Sequence, residues 1–189
     1  QVGALYEEIY QAEEKKQTSK ISQLKAKQAK FEAQAKEASE QAVKLYKALV
    51  STPQLGKFKR IDEALYFYAF ELGQLKRETE MKDAYIRLIQ DHPNSQYIPN
   101  AYLSFADYYF GQNKIGDALQ LYEKVITFKD SPVYAYALYK MAWCHLNPVG
   151  TADPRYDLSL DYFVKTIAAT LEGRAGSEAN AKQLRRDAR

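Results

Sequence analysis

Between Asn100 and Ile126 the stretch NAYLSFADYYFGQNKIGDALQLYEKVI sets apolar and small residues three and four apart on both sides of the polar turn GQNK. That spacing predicts two amphipathic helices joined by a short turn. The pattern recurs along the chain. Residues 64 to 81 lie over 101 to 118 without a gap, matching Ala64 with Ala101, Leu65 with Tyr102, Tyr68 with Phe105, Ala69 with Ala106, Leu72 with Tyr109 and Met81 with Ala118. The offset of 37 continues through Tyr85 with Tyr122 and Leu88 with Val125, so both members of a helical hairpin repeat. A third copy follows at an offset of 36, matching Ala101 with Ala137, Tyr102 with Leu138, Phe105 with Met141, Ala106 with Ala142 and Tyr109 with His145. A period of this length predicts an all-α array, because one helical hairpin cannot bury both of its faces alone and must stack on a neighbour.

Breakers fall between the units. HPNSQYIP and KDSPVY interrupt the periodicity with Pro and Ser, and Ser95 and Ser131 are placed to satisfy backbone groups near a helix start. In the third copy HLNPVGTADPRYD lengthens the turn, with Pro, Gly and Asp blocking helix continuation, before Ser159, Phe163 and Ile167 resume a second helix. Small residues at Ala69, Ala106 and Ala142 predict close helix crossings, whereas Met81 puts a large residue where the second copy has Ala118.

The first fifty residues are rich in Lys, Gln, Glu and Ala, contain no Pro and have one Gly, at position 3, which predicts mostly helix. Ile21, Leu24, Gln28, Phe31, Ala35, Ala38, Ala42, Leu45 and Leu49 alternate spacings of three and four, the seam of a coiled-coil-like helix, weakened in its middle by Ala and Gln. Two arrangements satisfy that seam: an intramolecular hairpin or docked helix, with residues 36 to 51 packing on the first clear unit, or self-association through residues 21–49. The final segment, EGRAGSEANAKQLRRDAR, reads as flexible at its start and helix-prone after it.

Composition changes this picture little. Of the 189 residues 46% are hydrophobic and 27% charged, an ordinary balance for a water-soluble domain, and a net charge of +3 gives no reason to expect a nucleic-acid partner. Sixteen tyrosines are the compositional anomaly. Cys144 has no second cysteine to pair with and reads as a small core residue. The chain opens Gln-Val-Gly without an initiator Met or an apolar leader, and no apolar run reaches the ~20 residues of a membrane span, so we expect a trimmed fragment without a transmembrane segment.

The chemistry-bearing motifs are sparse. Phosphate-loop, dinucleotide-binding and HExxH patterns are missing, and the two histidines are read structurally, His92 at a helix end and His145 as packing in place of a repeat aromatic. Glu7, Glu8, Glu13 and Glu14 form a solvated helical charge run with no orienting partner for acid–base work. Lys15, Lys16, Lys20, Lys25, Lys27 and Lys30 form a basic run that reads as solubilising, with an anionic partner or membrane surface as the alternative. We therefore expect no enzymatic activity, no cofactor and no metal site.

The repeated residues resemble the tetratricopeptide repeat (TPR) over roughly residues 60 to 170. Its pattern is a large residue, a large–small pair, an aromatic, Ala, a further aromatic and Pro; Tyr102, Phe105, Ala106, Tyr109, Ala118 and Tyr122 fit all but the final Pro, Leu65, Tyr68, Ala69, Leu72, Tyr85 and Pro93 fit in the first copy, where Met81 replaces the small residue, and Leu138, Met141 and Ala142 fit in the third. The resemblance implies a right-handed superhelix of stacked hairpins, with residues 1–52 as a long N-terminal helix or hairpin, 53–172 as about three units and 173–189 as the start of a further helix or repeat. It also implies a concave groove lined by Tyr66 and Phe70, Leu103 and Asp107, and Tyr139 and Trp143, with Asn100, Tyr136 and Lys140 beside them. Of the Lys, Asn and Arg groups that hold a C-terminal carboxylate in some TPR proteins, only Lys140 and Asn100 have counterparts, so an aromatic groove for a peptide or protein partner is the expectation. The N-terminal helical segment followed by repeats is similar to bacterial cell-envelope TPR proteins of the periplasmic Tol-Pal-associated and outer-membrane-assembly lipoprotein types. That similarity implies a non-catalytic scaffold in the periplasm or at the outer membrane, a cytoplasmic location also being compatible. The competing reading is a self-assembly module oligomerising through its N-terminal helix, as in a secretion or surface-motility machine.

Overall fold

The structure, a computed structural model, describes residues 2–15, 17–52, 54, 58–147 and 153–188. Among these residues there are nine helices and no strand: α1 (Val2–Glu14), α2 (Thr18–Ser51), α3 (Ile61–Gln74), α4 (Glu78–Asp91), α5 (Ile98–Gly111), α6 (Ile115–Val125), α7 (Tyr134–Leu146), α8 (Tyr156–Leu171) and α9 (Glu178–Asp187). The all-α expectation holds, and the helices form packed adjacent pairs. Most of the long turn after His145, residues 148–152, lies outside the described residues, as does Pro53. The chain divides into two compact units, Gln1–Met81 and Lys82–Arg189, the division falling inside α4.

In the first unit α1 folds back on α2. Leu5, Ile9 and Ala12 of α1 bury against Leu24 of α2, with Ile21 and Phe31 packed beside them. Lys25 pairs with Glu13 at 2.9 Å and the Tyr6 hydroxyl donates to Glu32 at 3.4 Å, contacts that run in opposite directions along the two helices and so make an antiparallel hairpin. The C-terminal part of α2 packs on α3, with Tyr46 stacked on Phe67 at a centroid distance of 6.3 Å and Val43 and Val50 buried. Thus α2 is shared between two neighbours, and Ala35 and Ala38 between them are exposed.

This division corrects the continuous seam read from the sequence. Leu45, one of its members, is 73% exposed, while Val43 and Val50, outside it, are buried. A straight helix drifts by ~20° per heptad against a strict seven-residue repeat, so three heptads turn Leu45 about 60° away from the direction of Leu24. The basic run is also partly engaged, since Lys25 spans the hairpin to Glu13; Lys16 lies outside the described residues.

The second unit is a succession of pairs, α5 on α6, α6 on α7, α7 on α8 and α8 on α9. Ala106, Ala118, Ala137, Met141, Tyr122, Val125, Ile115 and Cys144 form one core cluster. The alanines in it let backbones approach closely, and Tyr122 and Met141 fill the space that close approach leaves. Tyr85 of α4 stacks on Phe105 at 5.6 Å, and Phe105 on Tyr109 at 5.0 Å. His145, in the position of Tyr109, is half-buried and stacks on Tyr162 at 5.4 Å, as expected of a packing residue.

The repeat is visible in the turns themselves. After α3 Lys76 has φ 58°, and the Arg77 N–H donates to the Leu72 carbonyl at 2.9 Å; after α5, 37 residues on, Asn113 has φ 58° and the Lys114 N–H donates to the Tyr109 carbonyl at 2.9 Å. This six-to-one closure over a left-handed residue satisfies the last carbonyls of the helix and reverses the chain. The α8 terminus closes the same way, with Gly173 at φ 81° and the Arg174 N–H on the Ala169 carbonyl at 3.0 Å. Between hairpins, Ser95 Oγ accepts from the Tyr97 N–H at 3.2 Å and Ser131 Oγ from the Val133 N–H at 3.4 Å, the role the sequence assigned to both serines.

The turn before α9 is held in place, although the sequence read it as flexible. The Ala135 N–H of α7 donates to the Arg174 carbonyl at 3.1 Å, and Gly176, at φ 76°, approaches Pro132 so closely that a Cβ there would sit 3.1 Å from the Pro132 Cβ. Ser177 then caps α9 by accepting from the Asn180 N–H, and Ala181 and Leu184 bury against Ala135, Leu138 and Ala169.

Candidate functional site

Helix α7 carries two faces. Ala137, Leu138, Met141, Ala142 and Cys144 are buried, whereas Tyr136, Tyr139, Lys140 and Trp143 recur at three- and four-residue spacing on the opposite side. The small residues meet neighbouring helices, and on the other side Tyr136 and Tyr139 are half-buried at the edge of the Ala135, Leu138 and Ala169 cluster while Trp143 is exposed. Those four side chains, together with Phe110, Asn113, Ile115 and Asn147, line a cleft of about 460 Å³. The α5–α6 turn supplies its second wall, because the left-handed Asn113 folds the chain back within a few residues of Phe110.

Aromatic rings form the floor. Tyr139 meets Trp143 edge-on at 6.2 Å and Tyr136 at 6.2 Å, and both Tyr139 and Trp143 approach Phe163 of α8 at 5.9 Å. Phe163 stands where the second copy has Tyr122, but it is half-buried and turned to the α7 rings. It therefore supports Tyr139 and Trp143 from below, while Trp143 keeps 36% of its surface exposed. Edge-to-face rings held by neighbours are a preorganised apolar surface, with phenol and indole groups left to orient a ligand.

One polar tie crosses three helices beside this floor. The Tyr122 hydroxyl of α6 donates to Asp107 Oδ1 of α5, and Lys140 Nζ of α7 lies 3.6 Å from the same oxygen and 3.7 Å from the centre of the Phe110 ring. Burial raises the Asp107 carboxyl above its ordinary value, an effect the Tyr122 hydrogen bond and the Lys140 charge oppose. The Tyr136 phenol is pushed up to about 12, first by burial and then by the Asp107 charge and Tyr139, so it is a neutral hydrogen-bonding group at physiological pH. Burial likewise raises the Cys144 thiol to about 12, which makes it a poor nucleophile and fits its reading as core.

Of the residues implied for the groove, Tyr136, Tyr139, Lys140 and Trp143 come together in the cleft, and Asp107 sits behind Lys140. Leu103 is partly buried against the core of the second unit, and Asn100 is half-buried in the first turn of α5. Tyr66 and Phe70 belong to the first unit, Tyr66 half-buried with its ring edge-on to Phe67 at 5.1 Å and Phe70 exposed. Phe110, Asn113, Ile115 and Asn147 were not read as site residues. Asn113 had a signal, since a polar residue with αL tolerance between two helical runs marks a tight turn; Asn147 had none, being fixed by its bonds to the Trp143 carbonyl at 2.9 and 3.0 Å.

Among the described residues no group of three or more His, Cys, Asp or Glu side chains is arranged to hold a metal ion, and no helix is long and apolar enough to cross a membrane. No protein-family model, curated protein or solved structure matches the chain.

Proposed function

We propose that the protein is a non-catalytic interaction scaffold of the TPR kind, which captures a peptide or protein segment on the aromatic face of α7. The observation that carries this reading is the cleft itself. Four side chains at helical spacing on one face of α7, with Phe163 against two of their rings, line a cleft of about 460 Å³ at which Trp143 is exposed and Tyr136 and Tyr139 are half-buried. Rigid aromatic surfaces of this kind supply most of the binding energy in peptide-recognition grooves. The 37-residue recurrence of sequence and turn geometry supports the TPR-like superhelix. Placement in the periplasm or at the outer membrane of a bacterial envelope rests on the similarity of the N-terminal segment and repeats to envelope TPR proteins, and fractionation of the native host's cells tests it.

The test of the groove separates binding from folding. Peptides selected on the protein from a random library should bind Tyr139→Ala at least about thirtyfold more weakly, the loss typical of a hot-spot aromatic, while the variant keeps its helical content and cooperative melting. Phe105→Ala, by contrast, removes a ring stacked between Tyr85 and Tyr109 and should cost about 3–5 kcal/mol of stability. Equal melting losses in the two variants, or unchanged peptide affinity in Tyr139→Ala, would make the α7 face packing rather than a site.

A further inference from the structure

We propose that the ligand of this cleft is a peptide segment carrying an acidic side chain next to an aromatic, prolyl or aliphatic one, with the carboxylate on Lys140 and the apolar group against Tyr139 and Trp143. The inference rests on the groove reading above and adds the charge of the ligand and the residue that selects it.

The charge follows from the lining. Its aromatic and aliphatic groups are accompanied by two side-chain amides, Asn113 and Asn147, and by one cation, Lys140, with no carboxylate among the lining residues. An acid on the ligand is therefore attracted by Lys140 and opposed by Asp107, 3.6 Å from the ammonium, so the attraction has to come from the donors that Lys140 does not spend on that pair. Asp107 also accepts the Tyr122 hydroxyl, so it would keep a partner if a ligand carboxylate drew the ammonium away from it.

Lys140 has donors to give. An ammonium carries three N–H bonds, and here its contacts are one carboxylate oxygen at 3.6 Å and the face of the Phe110 ring. A charge-assisted hydrogen bond to a carboxylate is shorter, about 2.7–2.9 Å, so a ligand oxygen at that distance would be the stronger partner. The side chain is only 15% exposed, and water screens a pair formed there less than one at the open surface. Phe110 holds the ammonium against its ring face, close to where the ligand would lie.

The acid belongs inside a segment rather than at a chain end. Asn113 and Asn147 line the cleft as side-chain amides, the complement of main-chain amides that continue through it, with one N–H of Asn147 already given to the Trp143 carbonyl at 2.9 Å. Lys140 alone would then read a side-chain carboxylate as a point charge.

The test uses the whole chain and a random hexapeptide library, acetylated and amidated so that its only carboxylates are on side chains. The bound pool should be enriched in Asp or Glu beside an aromatic, Pro or aliphatic residue. Lys140→Gln should weaken the best acidic peptide about tenfold or more while leaving its Gln-for-Glu counterpart's affinity unchanged, and Lys140→Arg should retain the preference for acid. Apolar enrichment without acid overturns the inference and leaves the groove reading standing. No enrichment at all overturns both. Selection only from a library with free C-terminal carboxylates also overturns it, since the terminus would then be the group recognised. Loss of the acid preference in Lys140→Arg as well as in Lys140→Gln would likewise count against a charge-reading role.

Discussion

His145 stands where the earlier copies of the repeat carry Leu72 and Tyr109, and histidine alone of these types changes its charge near neutral pH. Stacked on Tyr162, it has its pKa lowered from 6.5, first by burial and then by the Arg155 charge, with Asp157 and Glu123 opposing. The unfolded chain therefore takes up the proton more readily than the folded one. The contribution of His145 to stability is complete above the ordinary histidine pKa and is lost as pH falls through it toward the lowered value. Urea denaturation at about pH 8 and about pH 5.5 should show a drop in stability at the lower pH, and His145→Phe should make that drop smaller. An undiminished drop in the variant would place its cause elsewhere. Lys76 offers a second residue-scale case, because a side chain at φ 58° strains the backbone in a way that glycine does not. Lys76→Gly should raise stability by roughly 0.5–1 kcal/mol, and Asn113→Ala, at the equivalent turn, should lower it by a similar amount. Thermal or urea melts of the two variants moving in the same direction would contradict that reading.

At the scale of elements, α2 shows that a helix read from periodicity can be right in extent and wrong in face. Leu24 and Leu45 are both leucines of one apparent seam, yet the first is buried against α1 and the second projects into solvent. Leu24→Ala should therefore cost about 2–3 kcal/mol and Leu45→Ala less than about 0.5 kcal/mol in urea melts. Comparable losses would mean that Leu45 is covered in solution, which is what pairing between chains through residues 21–49 would produce. The hairpins from α5 to α8 were legible because their small and large residues repeat at fixed offsets and the turns between them carry Asn, Ser and Pro. The reversal between α1 and α2 was not, since Lys15, Gln17 and Thr18 carry no breaker signal and the reversal is set by the burial of Leu5, Ile9 and Ala12. For the same reason the α7 wall of the cleft could be read from spacing, while Phe110, Ile115 and Asn147 enter it only through tertiary packing.

For the molecule as a whole, each of the two compact units has its own buried cluster, and the second holds the complete cleft among its own helices. The scaffold proposed above would have its recognition chemistry on α7, where Tyr136 and Tyr139 also touch the buried cluster around Ala135 and Leu138. The chain has one tryptophan, Trp143, and it lies in the cleft, so its emission reports occupancy without a label. Titrating the protein with its tightest library-selected peptide should shift Trp143 emission to shorter wavelength as the exposed ring is covered. The shift should saturate at the dissociation constant measured independently by calorimetry and should vanish over the same concentration range in Tyr139→Ala. Saturable binding by calorimetry with Trp143 emission unchanged would show that the peptide docks elsewhere and that the aromatic face of α7 is not the site.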